Sequence, residues 1–280
     1  MQELSLYQKD YLGKRIMTKK LRIGVVPYMN AKPLIYTLTQ QSDSVELLFE
    51  VPSLLPEMLN NDHIDVAIIP SIEYFRNGNY AIVPNISLSS LGTVESVKIF
   101  SKVPIQNIRT AALDKSSLTS CTLTKILFKE YYHLSPQYTS WNNQYDISRI
   151  DTDAVLIIGD NAMRASDNGY FTLDLGQAWF EYTGLPFVYA VWAVKKTHRM
   201  PDINILLQNA KECGMKLVKT IAADESQRLR FPYEKCLNYL TNSMKYNLGK
   251  NEIKGLQTFY HYAVSLGLAP QGVKIVFNET

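Results

Sequence analysis

Hydrophobic positions in this chain fall into short apolar runs that alternate with stretches of helical spacing, and several of the runs end in proline followed by polar groups. Residues 21–27 predict a buried strand, rich in Ile and Val and closed by Pro27, which leads into Y-M-N-A-K-P-L at 28–34. Residues 45–51 (V-E-L-L-F-E-V) predict a second strand, followed by a short helix from Pro52 that carries Leu55, Met58 and Leu59. Residues 65–69 predict a third, which ends in P-S-I-E-Y at 70–74. Alternation over 94–99 predicts a strand with one buried face, Ser96 lying within it.

A polar stretch at 102–107 with Pro104 reads as the crossing into a second unit. That unit opens with an apolar run at 108–113, then D-K-S-S-L-T-S at 114–120, then a helix with Leu118, Leu123, Ile126, Leu127 and Tyr131 at helical spacing. Residues 153–160 repeat the arrangement, a strand ending in Gly159 and Asp160. The aromatic density of 170–187 predicts core or an interface between units. Residues 188–194 (V-Y-A-V-W-A-V) are apolar throughout and predict a buried strand that returns the chain to the first unit. The remainder has helical spacing, with Leu206, Leu207, Ala210, Leu217, Val218 and Ile221, then Ile253, Leu256, Phe259, Tyr260, Ala263 and Leu266.

The pattern predicts an α/β protein with a ligand cleft between two lobes. Lobe I is expected over 21–104 plus 191–280 and lobe II over 105–190. Residues 1–20, with Met17 just before the first strand, read as an extension of poor order.

Ligands of open α/β sheets collect beyond the carboxyl ends of the strands, so polar residues there carry functional weight. The stretch 114–120 places four hydroxyls, Ser116, Ser117, Thr119 and Ser120, where a strand turns into a helix. Unpaired N–H groups and the positive end of the macrodipole make such a turn a socket for an anion. Ser116 and Ser117 serve either that socket or the start of the helix. Asn30 is either a helix cap or a functional group, and the same two readings hold for Asp160.

Composition narrows the classes. The 280 residues are 46% hydrophobic and 20% charged with a net charge of +3, and Lys and Arg are scattered, which argues against nucleic acid as a partner. Cys121, Cys213 and Cys236 are far apart and suggest neither a disulfide framework nor a zinc site. No apolar run approaches the ~18 residues of a membrane span, so no membrane partner and a cytoplasmic location are expected. Walker, dinucleotide-binding, zincin and nucleophile-elbow motifs are absent, and His63, His133, His198 and His261 lie away from the cleft loops.

The chain resembles the chorismate dehydratases of the futalosine route to menaquinone, a family whose fold is like that of type 2 periplasmic binding proteins. The matching stretches are G-V-V-P-Y-M-N-A-K-P-L (24–34), D-V-A-I-I-P-S-I-E-Y (65–74), Y-A-I-V-P-N (80–85) and G-T-V-E-S-V (92–97). They continue in order with A-L-D-K-S-S-L-T-S (112–120), D-A-V-L-I-I-G-D (153–160) and D-L-G-Q-A-W-F-E-Y-T-G-L-P-F-V-Y-A-V-W (174–192). The resemblance implies loss of water from chorismate to give 3-[(1-carboxyvinyl)oxy]benzoate, without metal or organic cofactor. It assigns catalysis to the Asn of Y-M-N and the Ser of G-x-V-x-S-V, here Asn30 and Ser96. Substrate binding is expected from Ser71, Ser117, Thr119, Ser120, Asp160, Thr183 and Gly184. Leu118 departs from the basic residue expected in S-S-x-T-S, with Lys115 as the nearby cation. Two other readings share the fold: a cytosolic small-molecule binding protein, and the sister enzyme that makes 1,4-dihydroxy-6-naphthoate, which by resemblance carries His where this chain has Gly159.

Overall fold

A computed structural model describes residues 7–9, 15–17, 20–141 and 150–279. Most of residues 1–20, where poor order is expected, lie outside that description, but β1 (Tyr7–Lys9) and β2 (Arg15–Met17) form an antiparallel pair.

Strands β3 (Leu21–Val25), β4 (Val45–Phe49), β5 (Val66–Pro70) and β6 (Tyr80–Ser90) belong to a first five-stranded sheet. Strands β7 (Val97–Ser101), β8 (Thr110–Asp114), β9 (Gln137–Trp141), β10 (Ala154–Ile158) and β11 (Phe171–Asp174) form a second. The chain then returns through β12 (Phe187–Lys195), which inserts antiparallel between β5 and β6. The strand orders are β4-β3-β5-β12-β6 and β11-β7-β10-β8-β9.

The expected division of lobes is corrected at its first boundary. β7 pairs antiparallel with β10 and β11, so the chain has already crossed into the second sheet by Val97, and the polar stretch around Pro104 is a turn within that lobe. The apolar alternation of 94–99 is thereby also divided: residues 94–96 are an irregular link, and the strand proper starts at Val97. Asp174 fixes this link, its carboxylate accepting the N–H groups of Val94 at 3.1 Å and Glu95 at 2.7 Å. The fully paired carboxylate holds Glu95 at φ +65°, a conformation unfavourable to a side-chain-bearing residue.

Helices cover the sheets: α1 (Lys32–Ile35), α2 (Leu55–Asn60), α3 (Ser71–Asn77), α4 (Leu118–Ile126), α5 (Gly159–Arg164) and α6 (Leu175–Thr183). The C-terminal part supplies α7 (Pro201–Lys216), α8 (Val218–Leu229), α9 (Tyr233–Asn238), a π-helical turn at Tyr239–Ser243, and α10 (Lys250–Ser265). The aromatic segment packs between lobes as expected: Trp179 of α6 is fully buried and meets Phe187 of β12 and Phe259 of α10 edge-on, with centroids at 5.3 and 6.4 Å. No helix among the described residues is long and apolar enough to cross a membrane.

Parallel pairing sets where the loops gather. β3 runs parallel to β5 and β8 parallel to β10, so each pair delivers its following loops to one sheet edge. The two edges face one another across the cleft.

Candidate active site

A cavity of about 590 Å³, counting its open mouth, lies between those edges. Asn30 after β3, Ser96 in the link between lobes, Ser117, Thr119 and Ser120 at the start of α4, and Gly159 after β10 all line it. Among the described residues, none that lines the cavity carries a formal charge.

Ser117 occupies the N-cap position of α4, yet its side chain makes no capping hydrogen bond. Leu118, Thr119 and Ser120 are the first residues of the helix, whose first-turn N–H groups lack intrahelical acceptors. Ser116 is diverted: its N–H and hydroxyl both donate to the Asp114 carboxylate, at 2.9 and 2.8 Å. Asp114 is buried, and burial raises its pKa against the opposing bonds from Ser116. This short Asx-type turn takes the chain out of β8 and leaves the start of α4 at the cavity. Thr119 Oγ1 accepts the N–H of Ile72 at 3.3 Å, which ties α4 to α3 across the cleft.

Opposite this socket, Asn30 sits in a 3-10 turn over Met29–Ala31 whose N-cap position belongs to Tyr28, so Asn30 is not a helix cap. Its Oδ1 is buried with no hydrogen-bond partner among the described residues. An orphaned acceptor that lines a cavity is costly unless a ligand satisfies it. Ser96 is 2% exposed, and its Oγ accepts the hydroxyl of Tyr239 at 2.8 Å. Its carbonyl accepts the N–H of Gly159 at 2.7 Å, which joins the link between lobes to the start of α5.

Tyr28 and Tyr189 are the titratable residues among those lining the cavity. Burial, reinforced by Asp114, pushes the Tyr28 phenol up to about 12, and burial drives Tyr189 well above its ordinary value. Both are neutral donors at physiological pH. The Tyr28 ring also guards Gly159, where a Cβ would lie 2.9 Å from Tyr28 Cδ1 and the backbone has φ +64°.

The other expected binding residues lie elsewhere. Ser71 is spent on the carbonyl of Val188, to which its hydroxyl donates at 2.7 Å. Thr183 and Gly184 close α6: the threonine hydroxyl donates to the carbonyl of Trp179, and Gly184 takes the left-handed C-cap at φ +67°. Asp160 neither lines the cavity nor caps a helix; its carboxylate accepts the N–H of Met29 at 3.1 Å and Arg228 Nη2 at 3.1 Å. Burial raises its pKa, while those two donors oppose the shift. Lys115 is exposed and is not among the residues lining the cavity, whereas Leu118 lines it directly.

Tyr189 and Met244 also line the cavity, and Tyr239 stands behind it. Sequence patterning offered no signal for the last two, because they reach the site from a C-terminal segment whose spacing reads only as helix.

A family model described as menaquinone biosynthesis matches residues 21–265. A chorismate dehydratase of Thermus thermophilus is 28% identical over 271 residues, covering 89% of this chain and 96% of that protein. The chorismate dehydratase of Campylobacter jejuni is 26% identical over 255 residues, covering 88% and 99%. Among solved structures, a protein of Archaeoglobus fulgidus superposes with a TM-score of 0.69 at 16% identity, covering 89% of this chain and 98% of that one. The periplasmic aliphatic sulphonate binding protein of Escherichia coli superposes at 0.61 with 14% identity, covering 91% and 90%. These structural likenesses establish the fold, a two-lobed α/β architecture of the periplasmic-binding-protein kind.

Proposed function

Because the chain belongs to the menaquinone biosynthesis family, we propose that it is a chorismate dehydratase acting in the cytoplasm, which converts chorismate to 3-[(1-carboxyvinyl)oxy]benzoate and water. The observation that carries this reading is that Asn30, Ser96 and the start of α4 line one cavity without formal charges, with the Oδ1 of Asn30 unsatisfied.

The reaction needs few protein groups. The ring proton beside the ether is acidified through the diene by the ring carboxylate; it leaves with the neighbouring hydroxyl as water, and the ring becomes aromatic. Thr119, Ser120 and the first N–H groups of α4 hold the ring carboxylate and stabilise the charge that gathers there as the proton departs. Asn30 hydrogen-bonds near the departing hydroxyl, and Ser96 orients the transferring proton. The lining tyrosines are too weakly acidic to be deprotonated bases near neutrality, and no lining residue among those described is a carboxylate or histidine. The enolpyruvyl carboxylate of the substrate is the base in this scheme.

Gly159 weighs against the naphthoate-forming alternative. A histidine there would need its Cβ against the Tyr28 ring, on a backbone at positive φ. Incubation with chorismate, followed by chromatography for the aromatic product, tests the proposal and separates it from a pure binding protein, which would leave only spontaneous decay. Near-normal turnover by folded Asn30→Ala and Ser96→Ala variants would refute the assignment of roles.

A further inference from the structure

Ser96 is held by the C-terminal segment through a contact that the reaction scheme above does not use. Tyr239, the first residue of the π-helical turn, is 1% exposed, and its hydroxyl has Ser96 Oγ at 2.8 Å. Single-turn π-helices are frequent at functional sites, where they re-aim side chains. In the same turn Ser243 donates to Glu95 Oε1 at 2.6 Å, so two residues of one turn grip two consecutive residues of the link between lobes. The backbone around Ser96 is fixed from the other side by its carbonyl bond to Gly159 and by Asp174 on Glu95.

The direction of the Tyr239–Ser96 bond follows from donor counting. A buried phenol has one proton and must place it on an acceptor. Ser96 Oγ is the acceptor that Tyr239 reaches among the described residues. Burial strongly disfavours the phenolate, so the phenol keeps that proton. With one lone pair of Ser96 Oγ taken by Tyr239, the serine's own proton is left for the cavity that Ser96 lines.

We propose that Tyr239 is a positioning residue that fixes Ser96 as a hydrogen-bond donor to an oxygen of the bound substrate. The inference rests on the dehydratase reading for the identity of that substrate, but not for the direction of the bond. It assigns Ser96 a narrower part: a serine whose side-chain partner among the described residues is itself a donor has no protein group there to take its proton, so Ser96 is neither a nucleophile nor a general base.

Two measurements test this. In steady-state kinetics with chorismate, Tyr239→Phe removes one oxygen from a buried site and should lower kcat about tenfold while changing KM less than threefold. In a Ser96→Ala background the same substitution should produce no further loss. Wild-type kcat in Tyr239→Phe, or an equal loss with and without Ser96, would overturn the proposal by showing that the phenol acts through packing alone. Independently of any substrate, the NMR spectrum of the wild type should contain a slowly exchanging tyrosine hydroxyl proton that is absent in Tyr239→Phe and displaced in Ser96→Ala. A hydroxyl signal of Tyr239 unchanged by Ser96→Ala would refute the bond itself, and with it the proposal. A wild type that leaves chorismate intact, with the hydroxyl signal behaving as expected, would instead fail the functional reading and leave the donor assignment standing.

Discussion

The carboxylate of Asp160, after β10 in the second lobe, accepts the backbone N–H of Met29, after β3 in the first, at 3.1 Å. Met29 is the immediate neighbour of Asn30. One carboxylate therefore bridges the cleft beside the unsatisfied Oδ1, and Arg228 of α8 holds its second oxygen at 3.1 Å while also pairing with Glu225. The contact is a clasp between the two lobes.

Breaking the clasp should weaken substrate capture more than chemistry. Asp160→Ala removes a hydrogen bond to a charged acceptor, worth about 1.5–3 kcal/mol, so KM for chorismate is expected to rise at least about tenfold with a smaller change in kcat. Steady-state kinetics read this directly, and an unchanged KM would exclude the clasp.

Gly159→Ala should cost stability as well as activity. Positive φ costs a side-chain-bearing residue about 1–2 kcal/mol, and the added methyl meets the Tyr28 ring. A melting temperature lower by about 4 °C, measured by circular dichroism, is expected together with reduced kcat/KM. An unshifted melt would mean that Tyr28 moves aside freely.

Leu118→Arg tests the carboxylate end of the site. If the start of α4 holds the ring carboxylate, a guanidinium introduced beside Thr119 adds a charge-assisted bond, and KM should fall about threefold to tenfold. A higher KM with intact folding would move the carboxylate elsewhere in the cavity.

The pH profile should be broad. Burial pushes the Tyr28 phenol up to about 12 and holds Tyr189 well above its ordinary value, so neither supplies an ionisation in the working range. The substrate carboxylates lose their protons at acid pH, so kcat/KM is expected to rise through the acid range and stay level from about pH 6 to 9. A bell-shaped curve centred near neutrality would reveal a histidine-like base and refute substrate-borne proton removal.

The legible parts of this structure were those that repeat a local rule. β3, β5, β10 and β12 announce themselves as short apolar runs because they are buried on both faces, and D-K-S-S-L-T-S announces a strand-to-helix turn. Exposed β9 was not legible, since Q-Y-T-S-W has neither an apolar run nor a buried face. Ser96 was misplaced on a strand because alternation in 94–99 does not reveal that Asp174, far along the chain, captures the backbone of Val94 and Glu95. Asp160 and Ser71 have protein partners that their sequence neighbourhood does not announce, for a related reason. Strand-end position identifies polar residues near a cleft, while the partner that consumes each one, Met29 and Arg228 or Val188, comes from a distant segment.

The uncharged lining has a consequence for selectivity in a crowded cell. A site built from hydroxyls, an amide and helix N–H groups acts on a ligand only at bonding distance and exerts little long-range pull on anions, while the whole chain contributes a net charge of just +3. Phosphates and nucleotides, which crowd arginine-lined clefts by virtue of charge alone, gain little here unless their shape also fits. Changes in ionic strength, which act on charges separated by roughly a Debye length of ~8 Å, leave such contacts almost untouched. Shape, not charge, decides which of the cell's many dianions is held.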